Sequence, residues 1–335
     1  MKNIVLFKFE DVLEKYPYVE DFFTSLGIGD INIKLTINEI AHNMKDELLE
    51  DKGFNREQLI EKFISFIEKM ESLRETSSNS VESITIIGGQ DKSGNVENIK
   101  LLLKTGNVVS IVGPTGSGKS RLLGDIECLA QGDTPTKRQI LLNGEVPSMD
   151  ERFAIENKLV AQLSQNMNFV MDLSVEEFIK LHAESRMIDN IDETVEEIME
   201  CANNLAGEKF DKDIPLTQLS GGQSRALMIA DTALLSLSPI VLIDEIENAG
   251  IDRKNAIELL VKKEKIVLIS THDPVLALIG DKRIVIKNGG ISKVIDSSYK
   301  EKKHIGILER VDKKMLKVRN HIRTGGIISE TVVDF

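Results

Sequence analysis

Residues Gly113-Pro114-Thr115-Gly116-Ser117-Gly118-Lys119-Ser120, GPTGSGKS, follow directly on the apolar run VVSIV at 108–112. This order predicts a strand, a tight loop and a helix from Ser120 to Gln131. Glycines let consecutive backbone N–H groups converge on one point, because no Cβ blocks the approach. The helix that follows adds the positive end of its dipole. A cradle of this kind suits a polyphosphate: Lys119 reaches the β- and γ-phosphates, and the Ser120 hydroxyl ligates Mg2+. The plain alternative is an ordinary glycine-rich turn, but the flanking strand and helix are both in place here.

Around this loop the pattern is one of strands alternating with helices. VVSIV, IVLID at 240–244 and IVLIS at 266–270 are short, continuous and β-branched, as in strands covered on both faces of a parallel sheet. ILLNG at 140–144 and RIVIKNGGISKVI at 283–295 carry Asn-Gly turns and partial alternation, which predicts antiparallel hairpins beside the main sheet. Between residues 172 and 219 only helical spacing occurs, in SVEEFIKLHAESRM and DETVEEIMECANNLAG, so a helical subdomain is expected to interrupt the α/β core.

The polar stretch SLRETSSNSVE at 72–82 marks a boundary. Before it, FEDVLEKYPYVEDFFTSLGI, LTINEIAHNMKDELLEDK and NREQLIEKFISFIEKM place apolar residues at helical spacing, Leu59, Phe63, Phe66 and Ile67 among them. Asn38 and Asn55 are expected helix caps, and Gly27 and Gly53 suit chain reversals. Seven of the twelve Phe fall in the first seventy residues, where they are expected to fill a core. The expected organisation is a small helical domain at 1–75, a linker at 76–82, an α/β domain at 83–298 with its helical subdomain at about 166–222, and a helical tail at 299–335.

The chain has 335 residues and a net charge of −12, so no overall attraction to nucleic acid or anionic lipid is expected. No apolar run approaches the roughly 18 residues of a membrane-spanning helix. The opening MKNIVLFKFEDVLEKYP turns acidic too early for a secretory signal, and the expected location is the cytoplasm, including the inner face of a membrane. Cys128 and Cys201 have no metal-type spacing and are expected to be reduced packing residues.

Two further motifs carry chemistry. LSGGQ at 219–223 precedes the helical stretch SRALMIADTALL and places Ser220, Gly221, Gly222 and Gln223 at a helix N-terminus, a second anion site. One triphosphate needs only one cradle, so either each cradle serves its own nucleotide or two chains share each one. The strand IVLID ends in Asp244-Glu245. Asp244 is placed to meet Mg2+ directly or through water, and Glu245 to orient and polarise an attacking water.

With these motifs in this order, residues 83 to 295 resemble the ATP-binding cassette (ABC) ATPases, which are P-loop NTPases. The resemblance implies a mainly parallel sheet core with an antiparallel β subdomain and a helical subdomain, here with an extra N-terminal all-α domain. It implies ATP and Mg2+ as cofactors and ATP hydrolysis as the activity, with Glu245, His272 and Lys119 as catalytic residues. His272, in Ser270-Thr271-His272-Asp273, matches the switch histidine that contacts the γ-phosphate. Gln165 matches the Q-loop residue that senses Mg2+ and phosphate, with Gln162 as the lesser candidate. Gly113 to Ser120, Arg121, Gln165 and Ser220 to Gln223 would bind nucleotide; Ser120, Gln165 and Asp244 would hold the metal. Two cassettes would face head to tail, so a homodimer is expected.

Two features depart from the family pattern. SITII at 83–87 offers no aromatic for adenine stacking, and an aliphatic contact would replace it. After Glu245 the chain reads Ile246-Glu247-Asn248-Ala249-Gly250-Ile251-Asp252, one residue longer than the transporter-like form and without its proline. The expected partner is a soluble protein; the alternative is a set of separate membrane subunits, with VMDLSVEEF helping to form the groove for a coupling helix. Nucleic acid is the least expected partner, despite the basic stretch KEKKHIGILERVDKKMLKVRNHIR at 300–323, which is expected to pack Ile305, Ile307, Leu308, Val311 and Leu316 onto the cassette. Residues 9 to 70 loosely resemble the small helical domains of the DUF1858 type, without bringing a ligand.

Overall fold

The computed structural model describes residues 2–28, 31–44, 55–75, 81–153, 158–164, 169–246 and 251–328. Their contacts form two compact units, Met1–Ser80 and Val81–Phe335.

In the first unit a 3-10 turn at Lys2–Leu6 precedes α1 (Phe9–Lys15), α2 (Val19–Ser25), α3 (Ile37–Asn43) and α4 (Arg56–Glu75). The helical pattern across 9–28 is split at Pro17, which cannot sit inside a helix without losing an N–H bond and clashing with the preceding turn. Thr36, not Asn38, caps α3. Its hydroxyl accepts from Glu39 N while the Glu39 carboxylate accepts from Thr36 N, a reciprocal pair that Asn38 cannot form because Ala41 stands three residues on. Asn55 caps α4 through exchanged bonds with Gln58. Gly27 turns the chain at φ +75°, and Gly53 lies outside the described residues. Phe9, Phe22, Phe23 and Phe63 are buried, and Phe9–Phe23 and Phe22–Phe63 meet edge to face at 5.4 Å each.

The strands of the second unit are β1 (Ser83–Ile87), β2 (Lys100–Lys104), β3 (Val108–Val112), β4 (Gln139–Leu142), β5 (Val160–Leu163), β6 (Ile240–Asp244), β7 (Ile266–Ser270), β8 (Lys282–Lys287) and β9 (Gly290–Asp296). Its helices are α5 (Lys119–Glu127), α6 (Met149–Phe153), α7 (Val175–Ser185), α8 (Ile191–Leu205), α9 (Gly221–Leu234), α10 (Arg253–Lys262), α11 (Pro274–Ile279), α12 (Tyr299–Lys302) and α13 (Ile305–Arg323). Six strands form the main sheet in the order β5-β6-β7-β3-β8-β9, parallel except for β9. A separate antiparallel sheet has the order β2-β1-β4.

The continuous apolar runs have a direct cause, since both faces of the main sheet are covered. Val109 and Ile111 of β3, Leu242 of β6 and Leu268 of β7 pack with α5 residues Leu122, Leu123 and Ile126 and with Ile84 and Ile86 of the smaller sheet. Val108, Val241, Ile243, Val267 and Ile269 point the other way, onto Ala226 and Ile229 of α9 and Ile257 and Leu260 of α10. Helices α7, α8 and α9 enclose a third core of Phe178, Ile179, Ile198, Ala202 and Leu227. His182 meets the Asp231 carboxylate at 2.9 Å and so ties α7 to α9. Both cysteines are free thiols packed at the margins of these cores.

Three expectations are corrected. The hairpin β8–β9 is not beside the main sheet but part of it, because β8 pairs in parallel with β3. Helix α5 ends at Glu127, ahead of Leu129, whose φ of +46° is incompatible with helix. On α13, Ile305 and Leu308 are half-buried, but Ile307, Val311 and Leu316 are exposed. Polar pairs hold this helix instead: Arg253 of α10 bonds Asp312 at 2.5 Å, and Lys254 stands 3.8 Å from Glu309.

Sequence reasoning did not foresee a buried ionic knot beneath the glycine-rich loop. Arg138, with no exposed side-chain surface, grips Glu97 through Nε and Nη2 at 2.9 and 2.6 Å, Asp125 of α5 at 2.8 Å and Gly289 O at 2.8 Å. Glu97 also accepts from Gly89 N and Ile291 N. Burial alone would raise the Glu97 pKa, but the Arg138 bonds and charge and the two amides outweigh it and hold it below the ordinary value. Breaking a buried pair strands the remaining charge, so Arg138→Met should cost about 3–5 kcal/mol in chemical denaturation. Because the folded-state pKa of Glu97 lies below the ordinary 4.5, its contribution is present above about pH 4.5 and is lost as pH falls through the folded value.

Candidate active site

The glycine-rich loop joins the end of β3 to the start of α5, and its glycines are required sterically at two points. A Cβ on Gly113 would come within 2.5 Å of Ile286 O, and one on Gly118 within 2.8 Å of Gly289 Cα; both residues also have positive φ, +154° and +109°. The loop is thus packed against the turn of the β8–β9 hairpin, and Gly289 N donates to Ser117 O at 2.7 Å. Pro114, Thr115 and Gly116 form its exposed tip, closed by a bond from Ser117 N to Pro114 O at 3.0 Å. Lys92, which no motif pointed to, donates from Nζ to Gly116 O at 2.9 Å. Ser117 Oγ is buried without a hydrogen-bond partner among the described residues. Arg121, in the first turn of α5, has an exposed side chain.

Around this loop gather the carboxyl ends of β6 and β7. Ser120 Oγ donates to Asp244 Oδ2 at 3.2 Å. Lys119, only 6% exposed, donates to Gly113 O at 3.1 Å and meets His272 Nε2 at 2.9 Å. His272 Nε2 in turn stands 3.4 Å from Glu245 Oε1. Two backbone bonds extend the sheet ladder beyond the strands, Glu245 N to Ser270 O at 3.0 Å and Thr271 N to Ile111 O at 3.1 Å. These fix the positions of Glu245 and His272 at the strand ends, where parallel α/β sheets bind ligands. Asp273 fastens the next turn by capping α11 and pairing with Arg253.

The donor set suits a hard cation. Ser120 Oγ and Asp244 Oδ2, a hydroxyl and a carboxylate oxygen, converge as hard donors. That combination fits Mg2+, which takes most of its ligands from water and phosphate.

Ser220, Gly221, Gly222 and Gln223 are elsewhere, at the start of α9. Ser220 Oγ accepts from Gln223 N at 3.3 Å, and Gln223 Oε1 accepts from Ser220 N at 2.8 Å. In this box the serine hydroxyl accepts, so its own hydrogen stays available to an outside acceptor, as do the N–H groups of Gly221 and Gly222, which no helix can satisfy internally. No hydrogen bond joins these residues to Gly113–Ser120 among the described residues. Gln165 lies outside the described residues, as do Glu247 to Gly250. Gln162, the lesser candidate, sits on β5 and donates its amide, in the orientation that satisfies the network, to the Glu127 carboxylate of α5. Ile84 and Ile86 point into the core, so β1 has no side chain to spare for a base at these positions. Asp252 caps α10 through Asn255 N.

A family profile described as ABC transporter matches residues 96–248. An ABC transporter ATP-binding protein of Methanocaldococcus jannaschii, itself described as uncharacterized, is 55% identical over 248 residues, which span 73% of this chain and 94% of its own length. The aliphatic sulfonates import ATP-binding protein SsuB of Bacillus thuringiensis subsp. konkukian is 31% identical over 253 residues, 71% of this chain and 92% of its own length. Among solved structures, cbiO1 of Clostridium perfringens, described as part of the ABC transporter complex cbiONQ, shares the fold with a TM-score of 0.51 at 23% identity, covering 71% of this chain and 96% of that one.

The tight contact between Gly118 and Gly289 is directly testable. Gly118→Ala should lower stability by about 1–3 kcal/mol and weaken nucleotide binding, measured by thermal unfolding with and without ATP; the added Cβ meets backbone that has no room to move.

Proposed function

Since the chain belongs to the ATP-binding cassette family of ATP hydrolases, we propose that it is the ATP-binding subunit of a membrane transporter whose spanning subunits are separate chains. The observation that carries this reading is the match to nearly the full length of an import ATP-binding protein. The soluble protein partner expected from the sequence finds no support among the relatives. No described helix is long and apolar enough to cross a membrane, so any membrane attachment by a helix of the described residues would be peripheral. Val170 and Met171, which open the VMDLSVEEF segment ahead of α7, are 92% and 40% exposed and supply apolar surface for a docking helix of a membrane subunit.

In this reading the ATP phosphates rest on the amides of Gly113 to Ser120, beside Lys119 and Arg121. Ser120 and Asp244, joined by Gln165 as the resemblance implies, would hold Mg2+, which when bound would neutralise charge on the phosphate oxygens. Glu245 orients and polarises the attacking water, and His272 moves from Lys119 to the γ-phosphate. Exposed Val96, on the loop that Lys92 ties to Gly116, is an aliphatic candidate for contact with the base. The chain's own Ser220–Gln223 cradle serves the nucleotide of a second copy, so the working form is a head-to-tail homodimer with two sites.

Glu245→Gln should lower ATP turnover by about 100-fold or more and trap an ATP-bound dimer on gel filtration. Purified with ATP from native membranes in mild detergent, this variant should carry multi-span membrane subunits with it. Recovery with soluble proteins alone would contradict the transporter reading.

A further inference from the structure

Arg225 joins two parts of the site that belong to separate sequence motifs. It lies two residues beyond Gln223 in the first turns of α9, with 7% of its surface exposed. Its Nη1 donates to Glu245 O at 3.2 Å. Glu245 has a φ of +51°, a left-handed conformation that is uncommon for any residue but glycine and persists only where the surroundings impose it. Its N–H is tied to Ser270 O of β7 and its C=O to Arg225 of α9. The two peptide groups flanking this Cα therefore answer to different bodies, the sheet on one side and the helical layer on the other. The helical layer also holds the far end of the segment that leaves Glu245: Asp252 N donates to Leu205 O at 2.9 Å, and Ala206 bridges Ile251, both at the end of α8.

We propose that Arg225 is a positioning residue that makes the direction of the Glu245 carboxylate depend on the placement of α9. Engagement of Ser220–Gln223 with the phosphate of one site then sets the water-activating group of the other site, through a single helix of one chain. A guanidinium suits the task because it remains charged at any working pH and offers donors in a rigid plane. The inference rests on the shared-site reading above, and extends it by naming the residue that links the two sites.

The test uses the full chain with Arg225→Met and Arg225→Lys, reading kcat and KM for ATP, melting temperature, and ATP-driven dimerisation in the Glu245→Gln background. Arg225→Met should lower kcat about tenfold or more, keep KM within about twofold, and leave ATP-driven dimerisation intact. Arg225→Lys retains a donor and should recover part of the lost kcat. Should Arg225→Met fail to fold, Arg225→Gln keeps a polar group in the buried position and takes its place with the same expectation. A folded variant with wild-type kcat would overturn the proposal, as would a loss explained wholly by KM or by failed dimerisation, or a lysine variant no better than methionine. A Ser220→Tyr control with undiminished turnover would instead overturn the shared-site reading itself.

Discussion

In the parallel sheet Ile111 stands beside Ser270, and Ser270 beside Asp244. The rest of the site depends on this register. It brings the ends of β3, β7 and β6 to one end of the sheet, so that Lys119 meets His272, His272 meets Glu245 and Ser120 meets Asp244, across more than 150 positions of sequence. The register is itself enforced by burial. Alternate residues of each strand belong to different cores, and a slip of one position would exchange every side chain between them.

The loop between β3 and α5 needs more than its own glycines. Gly113 and Gly118 are pressed against the β8–β9 hairpin, and Arg138 holds that hairpin turn, the Glu97 loop and α5 together from below. An ion pair sealed from water is costly to form and costlier to break, which makes it suited to holding a phosphate cradle in one shape. Helix α9 stands in a different relation to the site. Its N-terminus presents a second cradle with no hydrogen bond to the first among the described residues, while its next turn reaches Glu245. Under the proposed shared-site arrangement, hydrolysis in one site and phosphate contact in the other would share this helix.

Much of this was legible in the sequence, and the reason is local. GPTGSGKS, LSGGQ and IVLIDE are continuous segments whose backbone shape and chemistry are set by neighbours in the chain, and β3, β6 and β7 fall where their uninterrupted β-branched runs place them. What stayed hidden depends on distant contacts. Strand β5 is only four residues long, and β2 is a five-residue run, KLLLK, whose pairing with β1 depends on a distant partner. Arg138, Glu97 and Asp125 look like ordinary surface charges until the fold buries them. Lys92 and Arg225 gain meaning only from the carbonyls they reach. Thr36 was the avoidable miss, since Glu39 three residues later is a signal readable from sequence. The helical tail misled for a subtler reason: Ile307, Val311 and Ile322 share one side of α13 yet stay exposed, while Arg253 and Lys254 of α10 pair with its Asp312 and Glu309.

The central claim is that each ATP is completed by two copies of the chain, and complementation tests it most directly. Lys119→Met damages only the first cradle and Ser220→Tyr only the second, so each purified variant alone should be inactive. An equimolar mixture would place one intact site in every mixed dimer, and ATPase activity should return toward about a quarter of the wild-type level. A mixture as inactive as its two components, or a Ser220→Tyr chain active by itself, would contradict the account.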